Sequence, residues 1–120
     1  MRIARKILVA GMAIWPISGA LAASPLYLSC EFKQPSGKPQ VFNFVLDESA
    51  GTVGVYVPSS GSQRTSQSVF TANKVSLNEG SVAWEIDLSN RTIVRDMRMV
   101  GVKDSGKCKE VSAEQSGFEQ

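Results

Sequence analysis

The chain has 120 residues, with 13 Lys and Arg against 11 Asp and Glu, two Cys and no His. That length holds one folded domain, and the missing His excludes a Ser-His-Asp triad, a Cys-His pair and a His-ligated zinc site. An apolar share of 42%, punctuated by ten Gly and five Pro, belongs to a folded domain rather than a disordered one.

Residues 1–22 read as a secretory signal peptide. Arg2, Arg5 and Lys6 form the positive start, residues 7–17 an apolar run broken by Pro16, and Ala20-Leu21-Ala22 the small residues of a cleavage site. The run is shorter than the roughly 20 apolar residues of a spanning helix, so no stable membrane anchor is expected after cleavage. Cleavage removes three basic residues, leaving ten against 11 acidic ones and a net charge of −1 from Ala23 onward. No basic surplus remains to condense on nucleic acid. The signal is of bacterial type, and the expected location is the periplasm or the exterior.

Short apolar runs then alternate with turn residues. A first strand puts Leu26, Leu28, Cys30 and Phe32 on one face. After a turn at residues 34–39, a second strand over 40–47 presents Phe42, Phe44 and Leu46. Residues 48–51 close a hairpin with Gly51 at positive φ. Val53, Val55 and Val57 line a third strand that Pro58 ends. Residues 59–68 are the most polar stretch and predict a long flexible loop, followed by a short strand near Val69. A segment from Lys74 to Leu77 leads to a tight turn at Asn78-Glu79-Gly80. The clearest strand alternates Val82, Trp84, Ile86 and Leu88 with Ala83, Glu85 and Asp87. Ser89-Asn90 makes the turn, with Asn90 expected in the left-handed region. Residues 91–99 return as the hairpin partner, with Met97 and Met99 as packing residues. Residues 101–110 carry the last strand, and 111–120 are expected to form a frayed polar tail.

Cys30 and Cys108 are the two cysteines, and an exported chain with two most simply pairs them. Redox pairs sit close together, as in Cys-x-x-Cys, so the expected bond is structural. Closing so long a loop is worth about 4 kcal/mol in the chain-entropy model. The expected fold is all-β: a small antiparallel meander of seven or eight strands over residues 23–110, closed as a barrel or folded as a sandwich, with one disulfide.

Glu85 and Asp87 share a strand face, and Asp96 on the partner strand is placed to approach them. Such carboxylates serve glycosidases or calcium sites. The simpler reading is a solvated polar face with Arg95 or Arg98 pairing across the hairpin. Calcium-loop and phosphate-loop patterns are missing, so no catalytic residue, metal or cofactor is expected, and the protein is read as a non-enzyme. Trp84 belongs to the core face. The candidate binding element is the 59–68 loop, with Ser60, Gly61, Ser62 and the single charge Arg64, on a rigid scaffold. A protein partner or a small ligand is the expected occupant.

Two resemblances follow from these residues. The early Cys, the late Cys and the central stretch Trp84-Glu85-Ile86-Asp87-Leu88-Ser89-Asn90-Arg91-Thr92 resemble small exported β proteins of proteobacteria, a group that implies no activity. Size, export and a disulfide-stapled small barrel are also similar to the periplasmic inhibitors of c-type lysozyme. Those plug the lysozyme cleft with a Ser-Gly-Ser-Gly-Ala-Lys-Tyr-like loop. Here Ser60-Gly61-Ser62 keeps three of its residues, Gln63-Arg64 follows, and the Lys and Tyr are missing. That resemblance implies lysozyme inhibition through the loop from Ser60 to Arg64.

Overall fold

The computed structural model describes residues 24–118. The expected signal peptide, residues 1–22, lies outside them. Eight strands follow in order: β1 (Leu26–Lys33), β2 (Pro39–Asp47), β3 (Thr52–Val57), β4 (Ser62–Phe70), β5 (Lys74–Asn78), β6 (Val82–Asp87), β7 (Thr92–Met97) and β8 (Val102–Glu110). Each pairs antiparallel with the next, and β8 returns to pair with β1, closing a barrel. The architecture is thus the expected all-β meander, as a barrel rather than a sandwich.

Strand alternation builds the core. Even-numbered residues of β1 and β2 point inward, so Leu28, Cys30, Phe32, Phe42, Phe44 and Leu46 are buried. Val53, Val55, Val75, Leu77, Trp84, Ile86 and Ile93 complete one contiguous cluster. An eight-stranded barrel is just wide enough for side chains to fill, and here aromatic rings do so. Trp84 lies 5.1 Å from Phe42, 5.5 Å from Phe44 and 6.1 Å from Phe32, centroid to centroid, all edge-on.

The seam between first and last strands is covalent. Cys30 and Cys108 stand opposite each other in the β1–β8 register and are disulfide-bonded across 78 residues of sequence. A structural disulfide fits an oxidising compartment. Two register positions on, Gly106 faces Phe32. A Cβ there would come within 2.3 Å of the Glu31 carbonyl oxygen, so only glycine lets β8 approach β1 this closely.

Four expectations about the fold need correction. Residues 59–68 are not a long loop: residues 58–61 make a tight turn and β4 begins at Ser62. Pairing overrides composition there, because β4 makes six register pairs with β3 and three with β5. Without it, two rows of backbone donors and acceptors would lack partners. The left-handed residue of the β6–β7 turn is Arg91, at φ 58°, not Asn90. Arg91 closes that turn as Gly51, Gly61 and Gly101 close theirs. Met99 does not pack; it is 85% exposed at the β7–β8 tip.

The last correction concerns the tail. Helix α1 (Ala113–Ser116) follows the barrel, capped by Ser112, whose side chain accepts from the Gln115 amide while the Gln115 side chain accepts from the Ser112 amide. Gly117 turns left-handed and delivers Phe118 to the outside of β1–β3. There its ring lies 6.2 Å from Tyr27 and 5.9 Å from Tyr56. Gly54 leaves the space for it: a Cβ on Gly54 would come within 3.2 Å of the Phe118 ring. The buried Asn43 amide donates to the Ser116 carbonyl at 2.8 Å. Among the described residues, no helix is long and apolar enough to cross a membrane.

Candidate functional site

The candidate loop residues part company in the structure. Ser60 and Gly61 sit exposed in the β3–β4 turn, and Ser62 opens β4, its amide donating to Ser60 Oγ at 3.3 Å. Arg64 opposes the inward-facing Val55, so it turns across the barrel end rather than outward with the loop. Its guanidinium grips Glu79 through two bonds: Nε to Oε2, and Nη2 to Oε1 at 2.9 Å. The indole Nε1 of Trp84 donates to the same Oε1 at 2.8 Å. Burial pushes the Glu79 carboxyl up, but hydrogen bonds from Arg64 and Trp84 outweigh it and hold the carboxyl below its ordinary value. Hydrogen bonding to Glu79 raises Arg64 in turn.

A second pair lies beside the first. Arg95 alternates with Ile93 on the inner face of β7, so it does not pair across the outer face of the β6–β7 hairpin as expected. Its guanidinium carbon sits 4.5 Å from the Phe32 ring centre, 5.4 Å from Phe42 and 5.9 Å from Trp84. Nε and Nη2 donate to the two oxygens of Asp104 at 3.0 and 2.5 Å, and Nη1 donates to Gln40 at 3.1 Å. With 11% of its side chain exposed, Arg95 is committed to structure. Two guanidinium–carboxylate pairs therefore cap the aromatic core at this end, with Glu79 and Arg95 as their more buried members.

Of the three carboxylates singled out for chemistry, Glu85 and Asp96 share an outer-face groove and Asp87 stands apart in its turn. Glu85 is exposed on the outer face of β6, opposite Val94. Asp87 accepts from the Ser89 amide at 2.9 Å, the Ser89 hydroxyl at 2.6 Å and the Asn90 amide at 3.3 Å. Those bonds, the Ser89 hydroxyl's first, hold its carboxyl below the ordinary value and tie it to the turn. Asp96 stands opposite Lys103 in the β7–β8 register. Arg98 donates to Asn78 Oδ1 at 3.1 Å and to the Gly80 carbonyl at 3.2 Å. Among the described residues, no group of three or more His, Cys, Asp or Glu is placed to hold a metal ion.

The concave surface of the barrel lies on its outside. The outer faces of β1–β3 receive the chain's own Phe118. The outer faces of β4–β8 form a groove of about 480 Å³. Its floor includes Ala83, Ser76 and the exposed Val69 and Val94; Glu85, Asp96, Arg98 and Lys103 supply charges of both signs. The sequence reading misses this surface, because its residues come from five strands. Its one legible trace is the outward Val69 and Val94 on strands whose opposite faces fill the core.

No protein-family model matches the chain, and neither the curated proteins nor the solved structures contain a match to it. Architecture alone defines its class: a filled antiparallel meander barrel whose closing seam carries a disulfide.

Proposed function

We propose that the protein is an exported, non-enzymatic binding module of the bacterial periplasm or cell surface that engages a polypeptide through the outer face of β4–β8. The observation that carries this reading is the contrast between inside and outside. The interior is packed with aromatic and aliphatic side chains and capped by the Arg64–Glu79 and Arg95–Asp104 pairs. A small molecule seeking a barrel cavity meets side chains instead. The outer groove has an apolar floor with charges of both signs around it, the anatomy of a protein-binding patch.

Peptides selected from a displayed random library against the processed protein test the reading. Selected peptides should bind the native protein and lose about tenfold or more in affinity to the Val94→Glu variant, which loads the groove floor with charge. A selection that returns no binder, or binders indifferent to Val94→Glu, overturns it. Inhibition of c-type lysozyme is the competing reading. It requires the turn at Ser60 and Gly61 to act as the plug, with Arg64 released from Glu79. Inhibition at micromolar concentration that is lost in a Ser60→Asp variant would replace the groove reading with that one.

A further inference from the structure

Five large apolar side chains are exposed among the described residues: Val69, Val94, Met99, Val100 and Val102. Val69 and Val94 belong to the groove. The other three crowd one hairpin tip, where β7 ends at Met97 and β8 begins at Val102. The turn is well made: the Val100 amide donates to the Met97 carbonyl at 3.3 Å, and Gly101 takes φ 67°. A hairpin tip is normally the most polar part of a small barrel. Here Met99 is 85%, Val100 68% and Val102 45% exposed. The neighbouring turns at the same end read Gln34-Pro35-Ser36-Gly37-Lys38, Pro58-Ser59-Ser60-Gly61 and Asn78-Glu79-Gly80-Ser81, none with a large aliphatic side chain. A cluster of this kind, held out by a hydrogen-bonded turn, is a candidate interaction site.

Charge states what kind. Arg98 and Lys103 bracket the tip, and Lys33 and Lys38 flank the β1–β2 turn, which neighbours it around the rim because β8 pairs with β1. At this end Glu79 is engaged by Arg64 and Asp104 by Arg95, and Asp96 faces Lys103. Lys33, Lys38 and Arg98 are left as a basic excess. The opposite end is acidic: Asp47, Glu48, Asp87, Glu110 and Glu114 outnumber Lys74, Arg91, Lys107 and Lys109. A barrel polarised this way meets an anionic surface tip-first.

We propose that the β7–β8 tip is a membrane-docking element, inserting Met99, Val100 and Val102 at the headgroup boundary of a bilayer with anionic lipids. Lys33 and Lys38, exposed on the neighbouring β1–β2 hairpin, have the length to reach the phosphates while their stems stay beside the apolar tip. Apolar insertion and basic attraction are each weak alone, and together they give reversible attachment. The placement leaves the β4–β8 groove facing sideways, free for its own partner.

The test is co-sedimentation of the processed chain, from Ala23, with vesicles of phosphatidylethanolamine and phosphatidylglycerol, beside vesicles of phosphatidylcholine alone. Binding is expected to the anionic vesicles and to weaken with added salt. The double variant Met99→Ser with Val100→Ser should reduce it about tenfold or more, and Lys33→Gln with Lys38→Gln should reduce it further. Val94→Glu should leave it unchanged, which separates this site from the groove. A Val100→Trp variant gives a second reading, the fluorescence of the added indole shifting to shorter wavelength with anionic vesicles. No binding to the anionic vesicles at low salt, equal binding to phosphatidylcholine, or an unshifted signal from the added indole overturns the proposal. Those outcomes would leave an apolar pocket on a protein partner as the tip's destination.

Discussion

Glu79 ties together three parts of the barrel end: it accepts from Arg64 on β4 and from the indole of Trp84 on β6, and it sits in the turn between β5 and β6. Its folded-state pKa lies below the ordinary 4.5. A carboxyl lowered on folding stabilises the protein fully above its unfolded value and gives that stability up as pH falls through the folded value. Asp87 is lowered in the same sense by its turn hydrogen bonds, so two groups share the acid range. Urea titrations at stepped pH should therefore show native stability falling below pH about 4.5, and Glu79→Gln should make that fall shallower without abolishing it. At neutral pH the same variant should lose about 1 kcal/mol, the scale of a net hydrogen-bond contribution. Parallel pH profiles for the two proteins would show that Glu79 contributes no charge-dependent stability. Trp84 is legible as a core residue from strand alternation alone. Its partner is not, because Glu79 reads as one polar residue of a turn until the barrel closes and swings β4 alongside.

Among the elements, β4 and the C-terminal segment carry the departures from what the residues suggest. The inner face of β4 presents Arg64, Ser66, Ser68 and Phe70, and only the last is apolar. Periodicity is read from hydrophobicity, so a strand with a polar inner face shows none. The segment after β8 escapes for a different reason. Ser112 and Gln115 have the spacing of a capping box, a helix-start signal in plain view, but four helical residues stand on tertiary support rather than propensity. That support is Phe118 against Tyr27, Tyr56 and Gly54, with the Asn43 amide on the Ser116 carbonyl. Phe118→Ala should release the segment. The amides of Ser116 and Gly117 should then exchange with solvent at near-unprotected rates while the barrel amides keep their protection. Global stability should fall by about 2 kcal/mol, less than for a ring in a sealed core, because the freed segment relaxes into water. Loss of protection throughout the barrel would instead mean that the segment is part of the cooperative core. The strands with apolar inner faces, β1, β2, β3 and β6, are readable nearly to the residue, since one buried face forces strict alternation.

At the scale of the molecule, the closing pair of strands decides how the barrel holds together. β1 and β8 are the neighbours most distant in sequence, and their pairing is the one that no local hairpin supplies. Pairing them costs the loop-closure entropy of nearly the whole folded chain, since the half-cystines are 78 residues apart. The disulfide imposes that cost on the unfolded state as well, which is why a bond at the seam is worth more than one across any hairpin of this barrel. The close approach at Gly106 then lets the remaining seam bonds form at full register. Replacing both half-cystines, Cys30→Ala with Cys108→Ala, should lower unfolding free energy by about 4 kcal/mol, a large share of the roughly 5–15 kcal/mol typical of a small domain. The variant should lose amide protection first along β1 and β8, whose exposed edges then invite association between molecules, visible as concentration-dependent light scattering. A variant that loses less than about 1 kcal/mol, or frays first at another strand pair, would place the stabilising constraint elsewhere than the seam. Because the core is common to both ends of the barrel, seam opening should also loosen the Arg95–Asp104 pair, which joins β7 to β8. The disulfide would then secure the rim that holds the β7–β8 tip in place.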